Sequence, residues 1–404
     1  MKKIICLLLL FLSISMDAQN FEKNWEKVYQ FEYDGKIKSA SEVATKIYKK
    51  ARKQNNEFEI VRTFIYQSKY LQLLEEEAQF KIIANLQKEL QTKNSVSKSL
   101  FHYIYAKLLF EYQQVNHQSL HQNSNTDSIY CDDFRTWTYS NFTKEINNSL
   151  EQSIKNDQVL LATPLKNYEN LFIYTVDKQD INLSLYDFLA SEYMNSIYDN
   201  SRNEYNFITK NSKKLYGNIS DFQSLKLDSI YDTNLQKKLS IYQKLERSYA
   251  SSNNDLALAH TILKRITSIY KINPQAKEYL NSLERFANQF NNKLKGAFQI
   301  EMATIYNDQA YNHTYTDLNV KALALTETIL HADQEPYSTR AKRLKQDILQ
   351  QKVSIKTQRN VVPNQANRAL IDFKNVDTIY GAFYRISSEM AFENYPDDYD
   401  SYKK

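Results

Sequence analysis

The side chains that could do chemistry here are few, and most lie in one polar stretch. His117 and His121 have the i, i+4 spacing that on a helix presents two imidazoles to one metal. Ten residues on, Cys131 precedes Asp132 and Asp133, a carboxylate pair of the type that serves calcium binding or acid–base work. Each has a plainer reading. The histidines fall where helical periodicity lapses, so the stretch reads as non-helical, and no third ligand is indicated. Two adjacent carboxylates raise a thiol pKa, which leaves Cys131 a structural or incidental thiol. In Phe134-Arg135-Thr136-Trp137, Arg135 is expected to pair with one of the two carboxylates while Phe134 and Trp137 anchor the end of a long loop. The chain has no phosphate loop, dinucleotide fingerprint, Gly-x-Ser-x-Gly elbow or His-Glu-x-x-His helix. We therefore expect no catalytic residue, metal or cofactor, and no enzyme.

The elements that would position any such residues are helices. Four glycines and five prolines in 404 residues exclude tight-turn β architecture and Gly-rich α/β folds. Thirty-one Tyr and 20 Phe supply ample apolar surface to bury. The net charge is +5, and basic residues are scattered apart from short runs such as Lys342-Arg343-Leu344-Lys345. No nucleic-acid partner is expected from that distribution.

Lys2 and Lys3, the apolar run Ile4 to Leu12, and Ala18 before Gln19 follow the order of a secretory signal peptide, residues 1–18. The run is far shorter than the ~20 residues of a spanning helix, so no transmembrane helix is expected after cleavage. Cys6 lies inside the run and is not placed to carry a lipid. A cleaved chain would be secreted or periplasmic, with Cys131 its one cysteine and no internal disulfide.

Residues 19–357 read as an α-solenoid of helix pairs, tetratricopeptide-like. Phe21, Trp25, Val28 and Phe31 share one stripe; Gly35 interrupts, and Ser39-x-x-Glu42 has the form of a capping box for the next helix. Asn55-Asn56 breaks that helix before Phe58, Val61, Ile65 and Leu71. Leu100 to Tyr112 form a wide apolar face, and residues 116–136 are the polar excursion. Helical stripes return at Leu235–Leu245, Leu256–Tyr270, Tyr279–Phe290, Leu318–Ile329 and Ala341–Ile348. Ala257-Leu258-Ala259 and Ala322-Leu323-Ala324, 65 residues apart, echo one another at about twice a ~34-residue repeat.

Past Gln358 the period changes to two. Pro363-Asn364 marks a turn, then Ala369, Ile371 and Phe373, and again Ile379, Gly381 and Phe383, alternate with the residues between them. Residues 358–395 read as an incomplete β segment with two short strands, and 396–404 as a disordered tail. Phe373, Phe383 and Ile386 would have too little sheet of their own to pack against.

The opening Phe21-Glu-Lys-Asn-Trp25 with Ser39-Ala40, Asp132-Asp133-Phe134-Arg135-Thr136-Trp137, Leu185-Tyr186-Asp187-Phe188-Leu189-Ala190 and the junction Pro363-Asn364 leading to Asp372-Phe373-Lys374-Asn375-Val376-Asp377 together resemble the N-terminal region of bacterial alpha-2-macroglobulin family proteins. The likeness is strongest to the large secreted ones of Bacteroidetes. It implies a helical arm ahead of macroglobulin-type β-sandwich domains, in a family of protease traps whose partners are proteins, proteases among them. The chain departs from the family in having no Cys-x-Glu-Gln thioester and no recognisable bait region. No trapping residue can be carried over, and any engagement of a protease would fall to downstream domains. A free-standing secreted solenoid scaffold and a glycan-uptake binding protein are the alternatives.

Overall fold

A computed structural model describes residues 21–91, 95–122, 134–171, 181–197, 202–290, 294–313, 316–333, 335–358 and 365–382. The expected leader 1–18, Cys131 with Asp132 and Asp133, Pro363-Asn364, Phe383, Ile386 and the expected disordered tail 396–404 lie outside these. Within them the chain is mainly helical, with one two-stranded sheet near its C-terminal end. No described helix is long and apolar enough to cross a membrane.

The chain divides into two compact units, residues 1–302 and 303–404, and the division falls within one helix. In the first, α1 (21–33) is followed by α2 (Ile37–Gln54), α3 (Glu57–Leu74), α4 (Ala78–Leu90), α5 (Val96–Val115), α6 (His117–Gln122), α7 (Tyr139–Ser153) and α8 (Asp157–Ala162). Next come α9 (Leu185–Ser196), α10 (Arg202–Leu215), α11 (Ile219–Gln223), α12 (Asn234–Ser251), α13 (Asp255–Ile272) and α14 (Ala276–Gln289). α15 (Lys295–His313) crosses the division, and α16 (Thr316–Ala332), α17 (Tyr337–Leu349), β1 (Lys352–Thr357) and β2 (Ala369–Lys374) belong to the second unit.

Neighbouring helices pack in pairs, α2 on α3, α12 on α13, α16 on α17, and α5 on α7. The short connections are shaped by side chains that satisfy the first free N–H groups of the next helix. Asn56 accepts from the Glu59 amide at 3.1 Å, Thr233 from Gln236 at 3.1 Å and Asn254 from Ala257 at 3.2 Å. Left-handed turns are taken by Asn55, Asp232, Asn253, Asp333 and Asn375 as well as by Gly35.

The core is aromatic where the sequence is. Trp25 is fully buried, with Nε1 donating to Glu59 Oε2 at 2.7 Å and the Arg62 guanidinium 4.3 Å above its ring. Burial raises the Glu59 carboxyl above its ordinary range, against the pull of Trp25 and Arg62. Phe134 and Trp137 are buried against Phe142, so the predicted anchor forms.

Several expectations are corrected. α2 opens at Ile37 with no side-chain cap, because the chain has already turned at Gly35; Ser39 and Glu42 lie inside the helix and form no box. The alanine echo is out of step, since Ala257 is the third residue of α13 and Ala322 the seventh of α16. The change of period comes earlier than Gln358, because Val353 and Ile355 alternate into β1 and pair with Phe373 and Ile371. Only part of the second predicted strand is described: after β2 the chain turns at Asn375, whose Nδ2 is held by the carbonyls of Ile348 and Gln350, and 378–382 pair with nothing among the described residues, while Phe383 lies outside them.

Candidate functional site

α9 sets the geometry of the first unit's most distinctive surface. Ser184 caps it, accepting from the Asp187 amide at 3.3 Å, and the Asp187 carboxylate accepts in return from the Ser184 amide at 3.1 Å and hydroxyl at 2.7 Å. Tyr249 of α12 donates its hydroxyl to the same carboxylate oxygen. This buried knot fixes α9 against α12. Burial raises Asp187 above the usual carboxylate range despite these donors.

The same three-helix region, α9, α12 and α13, lines an open cleft of about 450 Å³. One face of α13 lines it at helical spacing, with His260, Leu263, Lys264, Thr267, Ser268 and Lys271. α9 contributes Ser191, Met194 and Asn195, and α12 contributes Lys238 and Tyr242. Lys264 Nζ donates to Ser191 Oγ at 3.3 Å. Desolvation holds the Lys264 ammonium below its ordinary range, partly offset by Asp187, and burial beside Lys264 pushes His260 down to about 3. His260 is thus neutral near pH 7, a hydrogen-bonding group rather than a charge. Three lysines and no carboxylate line the cleft among the described residues.

A second cleft of about 420 Å³ lies on another side of α12, lined by Glu151, Lys155, Lys237 and Lys244, and two of its lysines are paired. There Lys237 sits 3.6 Å from Glu151, Lys244 pairs with Asp157, and Tyr193 donates to Glu151 at 3.3 Å.

Arg265, next to Lys264, points into the core with no exposure. It pairs with Glu246 at 2.6 Å, donates to the carbonyls of Leu215 and Gly217 between α10 and α11, and lies 4.2 Å above the Phe222 ring. Its role is to pin four helices together.

In the second unit the antiparallel register puts Val353, Ile355 and Thr357 opposite Phe373, Ile371 and Ala369 on one face. The other face carries Lys352, Ser354 and Lys356 opposite Lys374, Asp372 and Leu370. The apolar face is open: Ile355 is 59% and Phe373 64% exposed.

Of the residues singled out from sequence, Cys131, Asp132 and Asp133 lie outside the described residues. His117 and His121 lie on a short helix, α6, which corrects the non-helical reading; Asn116 accepts from the Leu120 amide and starts that turn. His117 stacks edge-on against Tyr139 at 5.2 Å. Among the described residues no three His, Cys, Asp or Glu side chains gather as a metal set. Arg135 lies over the Phe80 ring at 4.9 Å; its expected carboxylate partners are outside the described residues. Lys238, Lys264 and Lys271 were missed because they come from two helices. Only the period of His260, Lys264, Ser268 and Lys271 along α13 carried a trace of them.

Comparison with protein-family models, with curated proteins and with solved structures finds no match.

Proposed function

We propose that the chain is the helical arm of a secreted, alpha-2-macroglobulin-like protein and works through protein–protein contacts rather than catalysis. The observation that carries this reading is the two-stranded sheet with its apolar face in solvent. A pair of six-residue strands is marginal alone in water. An open face of Val353, Ile355, Ile371 and Phe373 fits a sheet built to be covered by further β-structure. Helices followed by the opening of a β-domain is the order that the resemblance to the family implies. In this reading the arm spaces and orients β-domains, and engagement of a protease belongs to those domains.

The test is made on the native cell. An antibody against the helical array is used on envelope and culture-fluid fractions, and the species recovered is sized and mapped by tryptic peptides. A product exported without its leader and bearing or binding β-sandwich domains supports the arm. A stable exported product of the given length with no β-rich companion would sink it. Retention inside the cell would sink the secretion.

A further inference from the structure

We infer that the cleft between α9, α12 and α13 is a binding groove for an extended acidic peptide segment. It is independent of the sheet and of the family resemblance. Lys264 and Lys271 place two ammonium groups on one cleft, which Lys238 also lines, and no Asp or Glu is among its described lining residues, Asp187 acting on Lys264 from beneath the lining. Neither Lys264 nor Lys271 takes part in a salt bridge among the described residues, whereas Lys237 and Lys244 of the neighbouring cleft pair with Glu151 and Asp157.

Spacing decides what kind of anion fits. Lys264 and Lys271 are seven residues apart on one helix, a rise of about 10 Å. One small anion does not reach both. Two carboxylates borne by an extended strand, which advances about 3.3 Å per residue, match that separation at positions two to four apart. Lining chemistry decides between anionic polymers. The walls include Met194, Ile197, Leu263 and Ile272, which would take apolar side chains between the acidic ones. No arginine lines the cleft, although planar, bidentate recognition of phosphate favours arginine. Ser191, Asn195, Thr267 and Ser268 offer donors and acceptors for peptide groups, and neutral His260 adds one more. These features favour a peptide over a nucleic acid.

Fluorescence anisotropy with the full chain tests this. The probes are a fluorescein-labelled decapeptide with two Glu three positions apart in an Ala/Leu background, its Gln counterpart, and a labelled ten-residue oligothymidylate. The Glu peptide should bind and weaken as salt rises. The doubly substituted Lys264→Ala, Lys271→Ala protein should bind it at least roughly tenfold more weakly, as loss of two charge-assisted contacts predicts. Lys237→Ala, in the neighbouring cleft, should leave binding unchanged. Circular dichroism melting establishes that each variant is folded, and a Lys271→Glu variant gives a second reading if the double substitution unfolds. The inference is overturned by equal binding of the Gln peptide, by tighter binding of the oligonucleotide, by indifference to the lysine substitutions, or by no binding of the Glu peptide at 1 mM.

Discussion

Arg265 has no contact with solvent, yet it carries a full charge into the middle of the first unit. Removing one partner of such a pair leaves the other stranded in low dielectric, at about 3–5 kcal/mol, whereas replacing both with apolar groups is often nearly neutral. Arg265→Met should therefore destabilise strongly, and Glu246→Leu added to it should recover much of the loss; urea unfolding of the three variants checks this. Trp137→Ala removes an indole packed 5.3 Å from the Phe142 ring and should cost about 3 kcal/mol. An unchanged melting temperature would refute its role as an anchor. Asp187 gives a pH signature. Its folded pKa is raised, so the folded state holds its proton more tightly than the unfolded chain does. Its contribution is fully present below the unfolded value of roughly 4 and is lost as pH rises through the raised folded value. The stability of the wild type relative to Asp187→Asn should therefore fall as pH rises above about 4, as read by urea midpoints at each pH.

At the scale of elements, the turn between α10 and α11 leaves no room for a side chain at Gly217. A Cβ on Gly217 would lie 2.7 Å from Asp221 Cβ and 2.8 Å from the Lys213 carbonyl oxygen, and the Gly217 carbonyl also receives Arg265 at 3.3 Å. Gly217→Ala should cost roughly 1–3 kcal/mol by overpacking, measured by thermal unfolding. Elements of this kind show what could be read beforehand. α12, α13, α14, α16 and α17 were legible because each buries one stripe at helical period, as Leu235, Leu239, Tyr242 and Leu245 do. α2's start was misread because Ser39 and Glu42 have the right letters, whereas the turn at Gly35 had already fixed the entry. β1 was missed because Val353 and Ile355, flanked by lysines, follow α17 almost at once, and two alternations are too few to establish a period. The basic cleft was hidden for a different reason. Charge scattered along the sequence is gathered only when α12 and α13 pack.

At the scale of the molecule, two compact units should behave differently. The sheet of the second unit is exposed on both faces and should be cut by protease before the helices of the first. Phe373→Ser should lower the binding of an apolar dye and raise solubility while leaving the helical melting transition where it is. Protection of the sheet equal to that of the helices would mean that it is already covered in the isolated chain.

The left-handed turns held by Asn and Asp have one more consequence, for heat tolerance. A residue with a Cβ pays a steric cost in that conformation that glycine does not. The side chains of Asn55 and Asn253 make no hydrogen bond among the described residues to offset it. Asn55→Gly and Asn253→Gly should each gain up to about 1 kcal/mol, after allowance for the freer unfolded chain. A sequence with four glycines has therefore left a simple route to thermostability unused, at positions that touch neither the cleft nor the sheet.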